Sequence, residues 1–383
     1  MKIAVPAEID GETRVAATPD TIKKYVQLGA SVSVECGAGR ASRIPDADYE
    51  TAGAEIAADA AATLDAADVV LKVRRPGAAE LAAYPRGALV IAIMDPYGNE
   101  DAVQAMADAG LTAVSMEFMP RITRAQVMDV LSSQANLAGY QAVIDAAADY
   151  DRALPMMMTA AGTVPAARVF IMGAGVAGLQ AIATARRLGA VVTATDVRPA
   201  AKEQVESLGA KFIAVEDEEF RQAETAAGYA KPMSAAYQAK QAALVAEHIK
   251  KQDIVITTAL IPGRAAPRLV TAEMVASMRP GAVLVDLAVE RGGNVEGSVA
   301  GEVVDREGRR IVGHLNVAGR IPATASQLYA KNLAAFLETL VDKGGKGLAI
   351  NWDDELVKAT VLTRDGAIVH PAFAPKPAEP VAG

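Results

Sequence analysis

The sequence has one cysteine, three histidines and one tryptophan in 383 residues, and aromatic residues make up only 4%. A single cysteine excludes a disulfide framework within the chain and a multi-cysteine zinc or iron–sulfur centre. On its own, Cys36 reads as a small buried apolar residue. His248, His314 and His370 lie far apart with no His-x-x-x-His pair, which argues against a histidine metal site. Excess basic charge is missing too: Lys plus Arg is 38, Asp plus Glu is 46, and the net charge is −8. Such a chain has no basic footprint for nucleic acid. An anionic ligand must be gripped locally, by backbone N–H groups or a few placed Arg and Lys. Long apolar runs are lacking as well. The charge-free stretch 169–185 carries three glycines between Arg168 and Arg186, so it makes a poor membrane helix. The first residues, 1–6, read as a short strand and not as a signal peptide. A soluble protein of a reducing cytoplasm is the expectation.

What is present is ordinary globular material, 51% hydrophobic and 22% charged, long enough for about two or three domains. Strand and helix periods alternate nearly throughout. Lys2–Val5 reads as a strand, followed by a helix over 19–28 with Thr18 as N-cap and Pro19 in the first turn. Leu28-Gly29-Ala30, Ala109-Gly110-Leu111, Leu188-Gly189-Ala190 and Leu208-Gly209-Ala210 each close a helix and open an apolar run. Further strands fall near 54–56, 69–73, 89–94 and 111–116, and helices near 46–52 and 100–109. A helical pattern over 124–150 suits a connector between domains. Strands over 169–172, 191–196, 211–215, 254–257 and 283–287 form a second unit, and a helix over 326–340 is expected to return to the first. The fold class is therefore α/β: two doubly wound domains with a cleft between them, joined by long helices. The expected boundaries are 1–138 with 317–370 for the first domain and 139–316 for the second. The proline-rich tail 371–383 reads as an extended linker that adds nothing to a core.

The densest chemical signal opens the second domain. Strand Val169–Met172 runs directly into Gly173-Ala174-Gly175-Val176-Ala177-Gly178. An amphipathic helix follows, and then a strand ending in Asp196, 21 residues after Gly175. This is the G-x-G-x-x-G dinucleotide fingerprint in its full context. Gly173 allows the tight turn, Gly175 lets a pyrophosphate approach the backbone, and Gly178 lets helix and strand pack closely. Asp196 can accept hydrogen bonds from ribose hydroxyls and would repel a 2′-phosphate, whereas Arg198 could attract one. The acid ends the strand where the ribose should lie, so NAD(H) is expected.

Five stretches make the chain recognisable: MPRITRAQVMDVLSSQANLAGY over 119–140, MMMTAAGT over 156–163, ATDVR over 194–198, ETAAGYAK over 224–231 and TTALIPG over 257–263. Over essentially its whole length the chain resembles the NAD(H)-binding component, domain I, of proton-translocating nicotinamide nucleotide transhydrogenases. The resemblance implies direct hydride transfer between NAD(H) held in the interdomain cleft and NADP(H) on a partner, coupled to proton movement through a separate membrane domain. Its catalytic positions fall on Arg121, Gln126, Asp129, Ser132 and Tyr229. Its cofactor-binding positions fall on Arg121, Ile122, Thr123, Gln126, Gly173, Gly175, Val176, Gly178, Asp196, Val197, Arg198, Gly228, Ala259 and Leu260, with no metal ligand. It further implies a homodimer, partnership with an NADP-binding domain III and a membrane domain II, a cytoplasmic place peripheral to the inner membrane, and a lid around 226–234. Met156, Met157 and Met158 read as core or interface filler.

Two other readings stand beside it. Alanine dehydrogenase looks like the same fold, and Arg14 and 72–76 (KVRRP) resemble its substrate-carboxylate residues. Its catalytic histidine is missing after the strand ending in Met94-Asp95, however, and Glu290 stands where its catalytic aspartate falls. Oxidative deamination needs a proton carrier; hydride exchange between two nicotinamides does not. The second alternative is an NAD-sensing module without catalysis.

Overall fold

The structure, a computed structural model, describes residues 1–223, 233–261, 263–342, 344 and 347–374. It divides into two compact units, Met1–Gln134 with Gly319–Gly383, and Ala135–Ala318. In chain order the first unit has β1 (Lys2–Val5), α1 (Pro19–Gln27), β2 (Ser31–Glu35), α2 (Asp46–Ala52), β3 (Glu55–Ala57), α3 (Ala60–Leu64), β4 (Val69–Arg74), β5 (Leu89–Ile93), α4 (Glu100–Asp108) and β6 (Thr112–Ser115). Helix α5 (Val130–Asp149) contains the division between units.

The second unit continues with β7 (Met157–Thr159), β8 (Gly162–Val164), β9 (Arg168–Met172), α6 (Val176–Arg187), β10 (Val191–Thr195), α7 (Ala201–Ser207), β11 (Lys211–Phe212), α8 (Glu218–Arg221), α9 (Ala235–Ile249), β12 (Ile254–Thr257), α10 (Ala272–Ser277), β13 (Val283–Asp286), β14 (Val303–Arg306) and β15 (Arg309–Val312). The chain then returns to the first unit with α11 (Pro322–Glu338), α12 (Glu355–Thr360), β16 (Thr363–Arg364) and β17 (Ala367–Ile368).

The first unit's sheet runs β3-β2-β1-β4-β5-β6, with every pairing parallel. In the second unit the order is β11-β10-β9-β12-β13-β15-β14, parallel except for the β14–β15 edge hairpin. Both are doubly wound sheets whose strand order reverses beside the first strand, between β1 and β4 and between β9 and β12. Ligands bind such sheets outside the carboxyl ends of the strands at that reversal. Parallel strands covered on both faces need near-continuous apolar sequence. Val169–Met172, Ile254–Thr257 and Val283–Asp286 are buried at every position. Glycines 29, 110, 189 and 209 all take positive φ, between +73° and +88°, at the helix-to-strand joints.

Four expectations are corrected. The helix over 124–150 is broken: a 3₁₀ turn (Thr123–Met128) precedes α5. Asp129 causes the break, because its carboxylate accepts the Ser132 backbone N–H at 2.9 Å and the Ser132 hydroxyl at 2.5 Å and so caps the helix. The three methionines are not core. Met156, Met157 and Met158 are 63%, 45% and 72% exposed at the start of the β7–β8 hairpin. Cys36 is exposed, its thiol 3.3 Å from Asp46. The tail is not a bare linker at its start, since Phe373 stacks among Tyr97, Phe118 and His370 against the first unit's core. Residues 375–383 lie outside the described residues.

Candidate nucleotide site

The site is built at the carboxyl end of β9. Each glycine of the turn has a separate reason. Gly173 has φ +107°, and a Cβ there would stand 2.5 Å from Thr258 Oγ1. At Gly178 a Cβ would stand 1.8 Å from the Gly173 carbonyl oxygen, so this glycine is what lets α6 lie against the turn. Gly175 differs from both. Its φ of −74° and ψ of −169° suit any residue, and a Cβ would meet nothing within 4 Å. Neither backbone strain nor packing asks for glycine at 175. Close approach of a ligand's phosphates to the exposed start of α6 does. The residues present therefore fit a dinucleotide.

The acid at the end of β10 is tied into the same turn. Asp196 Oδ2 accepts the Ala174 N–H at 2.7 Å. Arg198 closes over the carboxylate: its backbone N–H and Nε donate to Oδ1 at 2.8 and 2.9 Å, and Nη2 donates to Oδ2 at 3.1 Å. The sequence leaves Asp196 and Arg198 as opposing signals, and the structure joins them as an ion pair. Four donors occupy the carboxylate, about its full acceptor capacity, so a ribose hydroxyl takes its place there only as the guanidinium shifts. Around the turn Val176, Val197, Leu260 and Ile261 are 43%, 54%, 53% and 45% exposed, an apolar rim at the carboxyl ends of β9, β10 and β12. Ala259 is half-buried behind it.

The stretch expected at the nicotinamide lies in the first unit. Arg121, Thr123 and Gln126 are exposed, and Ile122, Asp129 and Ser132 are half-buried. The turn carrying them is firmly anchored. Ala125 and Met128 are buried in the core, Asn332 of α11 donates to the Val127 carbonyl at 2.7 Å, and Arg124 forks onto Asp354 and Glu355 at 2.9–3.2 Å. Among the described residues the side chains of Arg121 and Gln126 make no hydrogen bond or ion pair. Asp129 and Ser132 meet as a cap pair, a contact that the Asp-x-x-Ser spacing could have signalled. Gly228, Tyr229 and the proposed lid stretch 226–232 lie outside the described residues.

At the strand-order reversal of the first sheet, charged groups are buried where sequence gives only a resemblance. Lys72, fully buried in β4, reaches Glu80 at 2.8 Å and Glu8 at 3.9 Å. Arg14 grips Glu12 at 2.7 and 2.8 Å and donates to Gln134 at 2.9 Å. The two cations that match substrate-carboxylate positions are thus paired with the chain's own carboxylates. Burial pushes the Glu8 carboxyl up to about 7 against the pull of Lys72. For Glu12, burial pushes up, but the hydrogen bonds and charge of Arg14, with Arg74, outweigh it and hold it at about 2. The two therefore titrate in opposite senses. Glu8 favours the folded state at low pH and costs stability as pH rises from about 4.5 to about 7, while the contribution of Glu12 is lost as pH falls from about 4.5 towards 2. Glu8→Gln should accordingly remove a loss on the order of 2–3 kcal/mol between pH 5 and pH 8, measured by urea denaturation at both values. An unchanged pH slope would contradict this.

After β5 stands Met94-Asp95, and Glu117 takes both backbone N–H groups there. Glu290 accepts the Asn316 N–H at 2.7 Å. His248 bonds Thr193 at 2.8 Å and packs edge-on to Phe170, and His370 stacks on Phe118 at 4.9 Å; burial pushes both imidazoles down. Among the described residues no cluster could hold a metal ion, and no helix is long and apolar enough to cross a membrane.

The fold and glycine turn define a dinucleotide-binding α/β protein with two doubly wound units. Residues 4–138 match the N-terminal domain, and residues 142–371 the C-terminal domain, of the alanine dehydrogenase/PNT family, and the chain belongs to that family. It is 56% identical over 379 residues to the first of the polypeptides that make up NAD(P) transhydrogenase subunit alpha in Rhodospirillum rubrum, covering 97% of this chain and 99% of that one. A crystal structure of transhydrogenase from Sinorhizobium meliloti is 68% identical and superposes with a TM-score of 0.88, covering 96% of this chain and 100% of that one. Alanine dehydrogenase of Halomonas elongata is more distant, 32% identical over 98% of this chain and 96% of its own length.

Proposed function

We propose that this chain is the NAD(H)-binding component of a proton-translocating transhydrogenase. NAD(H) is here a substrate, and it supplies the chemistry: a hydride passes directly between it and NADP(H) held by a partner domain. This chain's residues bind and align. The N–H groups and positive end of α6 take the pyrophosphate, Asp196 takes the ribose, and Arg121 and Gln126 hold the nicotinamide end. Hydrogen bonds from a fixed amide to a flat ring restrict its orientation, and such alignment supplies several kcal/mol of a barrier. No side chain needs to move a proton. Tyr229 and Gly228 would belong to a lid that excludes water. The chain would act as a homodimer with an NADP-binding domain III and a membrane domain II, peripheral to the membrane.

The observation that carries this reading is the glycine at 175, which only an approaching ligand explains, in a chain far more similar to transhydrogenase components than to alanine dehydrogenase. Alanine dehydrogenase remains the second reading because Arg14 and Lys72 are present. With L-alanine and NAD⁺, no NADH should form; alanine-dependent NADH would reverse the ranking.

Cofactor preference follows from the ion pair. NADH should bind more tightly than NADPH. Asp196→Asn should weaken NADH on the order of tenfold and narrow the gap, because it leaves the Arg198 charge unopposed. Arg198→Ala should widen it. Fluorescence titration with both nucleotides checks this, and a gap that moves the other way in either variant would refute the assignment.

A further inference from the structure

Behind the apolar rim sits a buried carboxamide that no sequence motif marks. Asn294 is 0% exposed, and every polar atom it has is used. Its Oδ1 accepts the Ala259 N–H at 3.0 Å, and its Nδ2 donates to the Ala259 carbonyl at 2.9 Å and to the Pro267 carbonyl at 2.8 Å. Its own carbonyl accepts the N–H groups of Leu269 and Val270 at 2.8 and 3.0 Å. The carboxamide thus clasps both backbone groups of Ala259, as a neighbouring strand would, just where β12 has ended and no strand continues.

Asn294 is itself fixed by a buried acid. Asp286, at the end of β13, accepts the N–H groups of Ala288, Asn294 and Val295 at 3.0, 3.1 and 3.0 Å, and the Thr257 hydroxyl lies 3.3 Å away. The loop wraps so tightly over this carboxylate that a Cβ at Gly293, which has φ +77°, would stand 2.7 Å from Oδ2. On its other side the segment after β12 meets the glycine turn. The Thr258 hydroxyl donates to the Gly173 carbonyl at 3.1 Å, and a Cβ at Gly173 would stand 3.4 Å from the Ala259 nitrogen. Connected contacts therefore run from Asp286 through Asn294 and Ala259 to the phosphate turn.

We infer that Asn294 is a positioning residue for nucleotide binding: it holds the Thr258–Leu260 backbone against the glycine turn from behind, leaving Leu260 facing outward. The inference rests on the reading of this turn as the NAD(H) site. Its test is NADH titration of the full chain by fluorescence, with melting temperatures, for wild type and Asn294→Ala. NADH should bind the folded variant about tenfold more weakly or worse, in keeping with two lost backbone hydrogen bonds. A merely structural role would lower the melting temperature and leave the Kd of the folded fraction unchanged, and that result overturns the inference. If wild type itself fails to bind NADH, the site reading falls instead. Amide hydrogen exchange on ligand-free wild type provides a measurement that does not depend on the variant folding. Protection of the Ala259 N–H comparable to that in β12 supports the clasp, and exchange at the rate of an exposed loop overturns it.

Discussion

Gly175→Ala should fold as the parent protein does and bind NADH on the order of a hundredfold more weakly. The first half follows from geometry within the protein. Residue 175 sits at φ −74° with open space where a side chain would go, so an added methyl creates neither strain nor clash. Surface changes of that kind usually move stability by no more than about 0.5 kcal/mol. The second half follows from what the open space is for. A methyl group there stands between the free N–H groups at the start of α6 and a pyrophosphate. Charge-assisted hydrogen bonds of this kind are each worth about 1.5–3 kcal/mol, which is one to two factors of ten apiece. Gly178→Ala is the control with the opposite signature, because its Cβ would collide with the Gly173 carbonyl and should cost stability first. Calorimetry and NADH titration on both variants separate the two roles. Parent-like NADH binding by Gly175→Ala would show that nothing approaches the backbone there.

Gln126→Ala should lower reconstituted hydride transfer on the order of a hundredfold while NADH affinity changes less than about threefold and the melting temperature holds. The turn that carries Gln126 does not depend on it. Ala125 and Met128 are buried, Val127 is held by Asn332, and Arg124 is clamped by Asp354 and Glu355, whereas the Gln126 side chain is exposed without a partner among the described residues. An exposed amide on a rigid mount can align a ring and contributes little to folding. Asp129→Ala separates from it cleanly. Losing that helix cap should destabilise the protein by about 1 kcal/mol, because Asp129 is bonded to Ser132. Transfer at the parent rate in Gln126→Ala would remove Gln126 from the mechanism.

How much of this was legible in the sequence depends on whether the signal was local. The four helix-to-strand glycines, the glycine turn and the apolar strands each carry their cause within a few residues, and they fix the α/β class and the nucleotide turn. Asp129 was locally legible as a cap, but the apolar period running on either side of it masked the break. The methionine hairpin misleads because apolar residues normally signal burial, and here they stand on a two-stranded ribbon with both faces exposed. Phe373 looked like part of a proline-rich tail because its packing partners, Tyr97 and Phe118, are more than 250 residues away. Lys72 in an apolar strand, the Asp196–Arg198 pair and the Asn294 clasp all depend on contacts between loops that only the fold brings together.

Direct hydride exchange without a proton carrier on this chain is the central claim, and reconstitution tests it most directly. The chain is mixed with a purified NADP-binding domain III of a transhydrogenase, and oxidation of NADH by an NADP⁺ analogue is followed optically. Hydride should pass between the two nucleotides, with deuterium at C4 of NADH recovered in the reduced analogue, and neither component should do this alone. Deuterium lost to solvent, or turnover by this chain without its partner, would contradict the account.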